Sequence, residues 1–316
     1  MKRIAIIGAG SWGTALAIIA ARAGHDVQLW SRNHLKSVQA PSSVAITSDL
    51  NAALDHAELL LFAAPSHAAR ELFTFITPHL REAAIIVSAA KGIEIETGKR
   101  ISEIVKEVAG TAHPFVCLSG PSFAKEVVAG HPTAIVAASK DAAAARTVQS
   151  ELSCENLRIY TNADVIGTEI GGSVKNVMAI AAGMAAGLGF GSNSVAALIT
   201  RGLAEITRLA RREGAQVETL MGLAGLGDLV LTCTGTLSRN RFVGVELGKG
   251  KPLEQITAEL SEVAEGIKTA RAVKQLADRA NLEMPIVNEV NAVLYDGKSA
   301  RDAVSELMSR PLREEA

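Results

Sequence analysis

The sequence predicts an α/β fold in which a doubly wound parallel sheet is followed by an all-helical domain. Short apolar runs alternate with helix-like stretches in the first half of the chain, and long helical periodicities replace them from residue 163 onward. Apolar strands that alternate with helices indicate a parallel sheet covered by helices on both faces. Because 316 residues exceed the usual size of one domain, we expect two domains, residues 1–168 and residues 169–316.

The individual elements follow from the runs and periodicities. Short apolar runs predict strands at residues 4–7, 27–30, 59–63, 85–88, 115–118 and 133–137. Helical spacing of apolar side chains predicts helices at residues 11–23, 66–80, 97–108, 195–212, 266–280, 285–295 and 300–308.

Two apolar stretches have alternative interpretations. Lys2 and Arg3 precede an apolar run, as in a signal peptide, but glycines interrupt that run. Residues 176–200 carry no charge and could pass for a membrane span. This stretch is mostly Ala and Gly and is broken at residues 187–194, so we expect two buried helices joined by a turn and no transmembrane segment.

Composition narrows the class of partner. The chain has 48% hydrophobic and 21% charged residues, which is typical of a globular protein. Its formal net charge of -1 and 3% aromatic content offer neither a basic surface nor a stacking platform for nucleic acid. The cysteines, Cys117, Cys154 and Cys233, are odd in number and lack C-x-x-C spacing. We therefore expect no disulfide framework, no metal site and a cytoplasmic location.

A glycine-rich turn predicts a dinucleotide site. Gly8, Gly10 and Gly13 form the pattern G-x-G-x-x-G between the first predicted strand and the first predicted helix. In this context the three glycines permit a tight turn, close approach of a pyrophosphate, and close packing of helix on strand. The helix that begins near Ser11 would offer free N–H groups to the pyrophosphate. The sequence therefore predicts a Rossmann-like domain, the alternative being an ordinary glycine turn.

The end of the second predicted strand bears on the choice of cofactor. An NAD site usually has a carboxylate there for the ribose hydroxyls, whereas this chain has Ser31 and Arg32. A guanidinium suits a 2′-phosphate, so we expect NADP(H) to bind and leave NAD(H) open. The alternative is that Arg32 is a solvated loop residue.

The second half of the chain provides a candidate acid–base group. All histidines lie at or before His131, so the helical domain cannot supply a histidine base. Lys175 stands in a Gly- and Ala-rich apolar helix, where burial would lower its pKa from about 10.4 toward neutrality. Lys175 is therefore a candidate proton acceptor, and donor in the reverse direction. Asp228 lies in an apolar run and needs a partner when buried, which Lys175 could be. The alternatives are a structural ion pair for Lys175 and a helix cap for Asp228.

Three further segments suit an anionic ligand. Ser238, Arg239 and Asn240 offer a hydroxyl, a guanidinium and an amide in succession, which suits a phosphate group, although a solvated turn is the alternative. Lys91 and Ser122 follow predicted strands, where ligands of doubly wound sheets bind. Lys91 could neutralise a phosphate or polarise a carbonyl, while Ser122 could simply cap a helix.

Together these segments resemble the bacterial-type NAD(P)-dependent sn-glycerol-3-phosphate dehydrogenases, in order and over nearly the whole chain. The resemblance rests on GAGSWGTA at 8–15, AKG at 90–92, SGPSFAKE at 119–126, KN at 175–176, GLAGLGDL at 222–229, SRNR at 238–241 and VAEG at 263–266. It implies an enzyme that interconverts dihydroxyacetone phosphate and sn-glycerol 3-phosphate for phospholipid synthesis, with Lys175 as proton acceptor and a possible homodimer. It implies substrate contacts from Lys91, Gly120, Ser122, Lys175, Asp228, Ser238, Arg239 and Asn240. It implies cofactor contacts from Ser11, Trp12, Arg32, Lys91, Ala124, Arg239, Val263 and Glu265.

The chain departs from this family's pattern after Arg32. Asn33 stands where relatives often have a second basic residue, and residues 34–47 lack a Tyr-Leu-Pro-Gly-like stretch. The preference between NADP and NAD therefore stays open. Two other functions also stay open, namely a related dehydrogenase for a hydroxy acid or sugar acid, and a non-catalytic NADP(H)-binding sensor.

Overall fold

The first half of the chain forms a single sheet in a computed structural model that describes residues 1–32, 40–260, 262–312 and 314. Its strands are β1 Arg3–Ile7, β2 Asp26–Trp30, β3 Val44–Thr47, β4 Leu59–Phe62, β5 Ile85–Ser88, β6 Phe115–Ser119, β7 Thr133–Ala138 and β8 Leu157–Asn162. The spatial order is β3-β2-β1-β4-β5-β6-β7-β8. Neighbouring strands are parallel except for the antiparallel pair of β6 and β7. The predicted doubly wound sheet is thus confirmed as a mainly parallel one.

Helices cover both faces of this sheet. They are α1 Ser11–Arg22, α2 Leu50–Leu54, α3 Ala69–Ile76, α4 Ile101–Ala109, α5 Ala124–Val128 and α6 Ala142–Leu152. One buried cluster lies on the α1 side of the sheet and includes Leu16, and another lies on the α3 side and includes Phe73. Residues 66–80, predicted as one helix, form α3 with one 3-10 turn before it and another after it.

The second half is helical and is built around α7. Its helices are α7 Val165–Gly187, α8 Ser192–Arg212, α9 Val217–Leu220, α10 Asp228–Thr234, α11 Arg239–Gly248, α12 Leu253–Glu259, α13 Glu265–Arg279, α14 Pro285–Tyr295 and α15 Ala300–Met308. A π-helical segment, Leu223–Gly227, leads directly into α10. Nearly every residue of α7 is buried, because α8, α10, α11, α13 and α14 all pack against it.

Glycines let α7 and α11 cross at close range. A Cβ at Gly183 of α7 would lie 2.2 Å from the Arg241 carbonyl oxygen, and one at Gly244 of α11 would lie 2.0 Å from the Ile180 carbonyl oxygen. Neither position can carry a side chain without moving a backbone. This crossing brings the first residues of α11 beside the middle of α7.

The expectation of two buried helices at residues 176–200 is only partly right. Residues 176–200 do form two helices joined by a turn, but only α7 is buried, and residues 192–200 at the start of α8 are exposed or half-buried. Within the described residues, one stretch is long and apolar enough to cross a membrane, Val217–Thr234. It is weak evidence for a span, since it consists of α9, the π-helical segment and α10 and it buries Asp228 in the fold. The departures at Asn33 and residues 34–39 lie outside the described residues.

Candidate active site

The glycine-rich turn lies at the carboxyl end of β1, as predicted. Gly8 has a positive φ of 109°, and a Cβ there would lie 2.7 Å from the Ala64 backbone nitrogen. A Cβ at Gly13 would lie 1.8 Å from the Gly8 carbonyl oxygen. At Gly10, by contrast, the nearest atom to an added Cβ is a Glu262 carboxylate oxygen at 3.7 Å. The turn therefore needs glycine at 8 and 13 for its own packing, while Gly10 keeps the backbone accessible to a ligand.

The start of α1 already binds an oxyanion of the protein itself. The Ser11 backbone N–H and hydroxyl both donate to one oxygen of the Glu262 carboxylate, at 2.9 Å and 2.8 Å. The Arg239 guanidinium pairs with the other carboxylate oxygen at 2.6 Å. Free N–H groups at a helix N-terminus favour anions, and this contact shows that the start of α1 binds an anionic group; its predicted contact with a pyrophosphate stays a prediction. Trp12 is half-buried and packs against the sheet.

Arg32 lies just beyond the carboxyl end of β2. Its guanidinium is 3.8 Å from the Glu71 carboxylate, and its side chain is 61% exposed. The two residues border a 480 Å³ surface cavity lined by Trp30, Arg32, Ser48, Leu50, Glu71, Leu72, Thr74 and Phe75. Arg32 is thus accessible to a ligand at the sheet edge, and its predicted cofactor contact stays a prediction.

A buried cluster of charges joins the two halves of the chain. The Lys175 amine of α7 donates to Oδ1 of Asp228, the first residue of α10, and to the Thr232 hydroxyl at 2.9 Å. The Lys91 amine, from the loop after β5, donates to Oδ2 of Asp228 at 2.7 Å and to the Gly120 carbonyl at 3.1 Å. The predicted pair of Lys175 and Asp228 is therefore present, with a second ammonium on the same carboxylate.

Burial controls the protonation of this cluster. Lys175 is 6% exposed and Asp228 is 1% exposed. Loss of hydration lowers the pKa of Lys175 to about 7, although the Asp228 charge opposes that change. An amine with such a pKa is present in both protonation states near neutral pH, as acid–base catalysis requires.

The loop after β6 faces the same cluster. The Ser122 hydroxyl donates to the Gly120 carbonyl at 3.1 Å, and the residue that precedes α5 is Phe123. The alternative of Ser122 as a helix cap is therefore wrong, because its hydroxyl turns back to the loop. Ala124 is the first residue of α5. The Ser119 hydroxyl is buried and has no hydrogen-bond partner among the described residues, which leaves a donor available beside α7.

The start of α11 holds the segment predicted to bind phosphate. The Ser238 hydroxyl caps α11 by accepting from the Arg241 backbone N–H at 3.2 Å. The Asn240 amide donates to Asn176 Oδ1 at 3.0 Å and accepts from the Gly266 N–H at 2.9 Å. Asn240 thus fastens α11 to both α7 and α13, next to Lys175. The solvated-turn alternative does not fit a segment in which Ser238 and Asn240 are both buried.

The segment before α13 connects the helical half to the sheet. The Glu265 carboxylate accepts from the Ser66 backbone N–H at 3.0 Å and from its hydroxyl at 2.5 Å. Val263 is 44% exposed. Both residues lie in the stretch that reaches the glycine-rich turn through Glu262, and their cofactor contacts stay predictions. Within the described part of the chain, no group of three or more His, Cys, Asp or Glu side chains could hold a metal ion.

Comparison with known proteins places the chain in a family. A family model described as the C-terminus of NAD-dependent glycerol-3-phosphate dehydrogenase matches residues 164–305. The model for the N-terminus of the same family matches residues 3–39 and 32–145. The chain belongs to the NAD-dependent glycerol-3-phosphate dehydrogenase family.

Individual relatives are similar to this chain over nearly their whole length. Proteins named glycerol-3-phosphate dehydrogenase (NAD(P)+) from Koribacter versatilis and Trichlorobacter lovleyi are 52% and 51% identical to it. The alignments cover 98% of both chains for the first and 99% of both for the second. A crystal structure of glycerol-3-phosphate dehydrogenase from Coxiella burnetii superposes with a TM-score of 0.94 at 39% identity, and covers 98% of this chain and 99% of that one. The resemblance stated from the motifs is therefore confirmed.

Two residues of the site, Glu262 and Thr232, were not singled out from the sequence. Glu262 binds Ser11 across a separation of 251 residues, and no local pattern marks it. Thr232 receives a hydrogen bond from Lys175, and its spacing of four residues from Asp228 on α10 was a usable signal. Residues four apart share one helix face, so a buried Asp228 implied a buried neighbour at that position.

Proposed function

We propose that this chain is an NAD(P)-dependent sn-glycerol-3-phosphate dehydrogenase that interconverts dihydroxyacetone phosphate and sn-glycerol 3-phosphate. The observation that carries the proposal is the buried Lys175 amine, with its pKa lowered to about 7, beside Asp228 and Lys91. The names of the relatives support glycerol 3-phosphate as the alcohol of this pair.

The nicotinamide cofactor supplies or accepts the hydride. Gly8, Gly10 and Gly13 shape its turn, and the Ser11 N–H is available to its pyrophosphate once Glu262 withdraws. Arg32 would meet the adenosine end. Other cofactor contacts, from Trp12, Lys91, Ala124, Arg239, Val263 and Glu265, are proposed from the resemblance.

Lys175 moves the proton. In reduction, its ammonium donates to the ketone oxygen as negative charge develops there. In oxidation, its neutral amine accepts the hydroxyl proton. Asp228 holds the amine in place through Oδ1 and binds Lys91 through Oδ2. General acid–base help of this kind contributes roughly 10²- to 10⁴-fold in rate.

The phosphate end of the substrate positions the reacting carbon. We place it against Ser238, Arg239 and Asn240 at the start of α11, where the free N–H groups of the helix add to the positive field. We place the carbonyl end of the substrate near Lys91, Gly120 and Ser122, as the resemblance implies. Holding a three-carbon substrate at two ends lowers the entropic part of the barrier by several kcal/mol.

A direct assay tests this function. Purified protein is mixed with dihydroxyacetone phosphate and either NADPH or NADH, and the absorbance of the reduced nicotinamide is followed. Loss of absorbance that depends on dihydroxyacetone phosphate is expected. A dehydrogenase for a hydroxy acid or sugar acid would ignore this substrate, and a sensor would bind the cofactor without turnover.

The organisation of the chain belongs to the same proposal. We divide it into a dinucleotide-binding domain, residues 1–168, and a helical domain, residues 169–316. The large hydrophobic clusters on the two faces of the sheet and around α7 support that division, while one small cluster, which includes Cys117 and Ala224, joins the two halves. Exposed apolar side chains in the helical half, such as Phe190, Met221 and Phe242, support a homodimer. Three free cysteines support a cytoplasmic location, and the net charge of -1 argues against a nucleic-acid partner.

A further inference from the structure

Glu262 connects the two halves of the protein at the cofactor turn. Its Oε1 accepts from both the N–H and the hydroxyl of Ser11, and its Oε2 pairs with Arg239. Its two partner residues come from α1 and α11, while Glu262 itself lies in the segment before α13. None of these contacts serves proton transfer at Lys175, so the site described above does not account for them.

The Glu262 carboxylate lies where the phosphates of a dinucleotide belong. In a Rossmann-like turn the pyrophosphate approaches the second glycine and accepts from the first free N–H groups of the helix. Here the N–H of Ser11, the first residue of α1, is taken by Glu262. A Cβ at Gly10 would lie 3.7 Å from the same carboxylate oxygen. Two anions cannot share one donor and one volume, so the carboxylate and the pyrophosphate exclude each other.

We propose that Glu262 is an internal competitor of the dinucleotide, which occupies the anion position of the turn and must leave it when the cofactor binds. This inference rests on the proposed function only in that the turn binds a dinucleotide. Its consequence is that Glu262 lowers the affinity for the cofactor and sets it by competition.

The neighbouring residues allow the exchange without a large movement. Glu265, three residues later, is fixed to Ser66, and Gly266 is fixed to Asn240. The Glu262 side chain is 32% exposed and can turn into solvent while that anchor stays in place. Its departure also releases Arg239, whose guanidinium then becomes available to a phosphate. While the Glu262 carboxylate occupies the turn, it therefore keeps both the Ser11 N–H and the Arg239 guanidinium from binding other anions.

The test compares Glu262→Gln with the wild type and with Glu254→Gln, which removes an equal charge from an exposed site on α12. The dissociation constants of NADPH and NADH are measured by nucleotide fluorescence without substrate, and the melting temperature is measured with and without NADPH. Removing a charge-assisted contact typically changes the equilibrium constant by about a factor of ten or more. Glu262→Gln should therefore bind NADPH about tenfold tighter, melt at a lower temperature when unliganded, and gain a larger shift from NADPH. Glu254→Gln should match the wild type.

Other outcomes separate this inference from the proposed function. Unchanged or weaker NADPH binding in Glu262→Gln overturns the competitor, even if dihydroxyacetone phosphate is turned over normally. Tighter binding with an unchanged melting temperature of the unliganded protein also overturns it, because a remote charge effect would then suffice. Tighter binding with the lower melting temperature, but without turnover in either protein, supports the competitor and overturns the proposed function. Glu262→Ala is measured in the same way, because it also removes the hydrogen bond that a glutamine oxygen could still accept from Ser11.

Discussion

Replacing Asp228 by asparagine should lower the pKa of Lys175 further and shift the pH dependence of turnover. In the wild type, burial gives Lys175 a pKa of about 7, and the negative Asp228 counteracts part of the burial effect. Reduction of dihydroxyacetone phosphate needs the ammonium, so its kcat/KM should fall as pH rises through about 7. Oxidation of glycerol 3-phosphate needs the neutral amine and should rise over the same interval.

The size of the shift follows from the geometry of the cluster. A unit charge at about 4 Å in an effective dielectric of about 20 contributes about 4 kcal/mol, and one pKa unit corresponds to about 1.4 kcal/mol. Lys91, which shares Asp228 at 2.7 Å, would then repel Lys175 without compensation. We expect the pH midpoint of the reductive kcat/KM to fall by about two pH units or more. At pH 7 the reductive kcat/KM should then drop by about 10²-fold.

The assay is the pH profile of reductive kcat/KM for the wild type, Asp228→Asn and Thr232→Val. Thr232 also contacts the Lys175 amine, at 2.9 Å, but it is neutral. Thr232→Val should therefore keep the midpoint near that of the wild type. A midpoint for Asp228→Asn that coincides with the wild-type value would refute the assignment of the titrating group to Lys175.

Three other substitutions probe different parts of the molecule. Lys175→Met should lower kcat by about 10²- to 10⁴-fold, while the dissociation constant of NADPH, measured by fluorescence, stays within about a factor of two; a near-normal kcat would contradict proton transfer by Lys175. Arg239→Ala should raise KM for dihydroxyacetone phosphate by about tenfold or more, and an equal loss with unphosphorylated dihydroxyacetone would argue against a phosphate contact. Gly244→Ala places a Cβ 2.0 Å from the Ile180 carbonyl oxygen, so the melting temperature should fall by several degrees, and an unchanged value would show that α7 and α11 can separate freely.

The sequence predicted those parts of the fold that are encoded in local patterns. The predicted strands, β1, β2 and β4 to β7, are apolar runs, and a central one, Leu59–Phe62, is buried at every position. The strands β3 and β8 were missed because they lie at the two edges of the sheet. Only the first residue of β3 is buried, and in β8 Leu157 and Ile159 are buried but Arg158 and Tyr160 are exposed. The antiparallel direction of β7 was also missed, since a run of apolar residues does not encode the direction of its neighbour.

The site shows the same division between local and distant information. Lys175 could be singled out because a lysine in an apolar helix is unusual, and Asp228 because a buried carboxylate needs a cation. That Lys91 would share this carboxylate depends on how the loop after β5 meets α10, 137 residues away in sequence. The contact of Glu262 with Ser11 likewise exists only because the two halves pack together. Charges that meet through tertiary structure leave no periodic signal in the chain.

The balance of charge in the buried cluster explains why an anionic substrate suits it. Two ammoniums, Lys91 and Lys175, share one carboxylate, Asp228, so the cluster has one excess positive charge when Lys175 is protonated. An uncompensated buried charge is costly, and burial accordingly pushes Lys175 toward its neutral form. An anionic phosphate bound nearby, or negative charge developing on the ketone oxygen, offsets that excess and favours the protonated amine. The protonated form of Lys175 is therefore most stable when the substrate that needs its proton is bound. Recognition of the phosphate is thereby linked to the proton-transfer step.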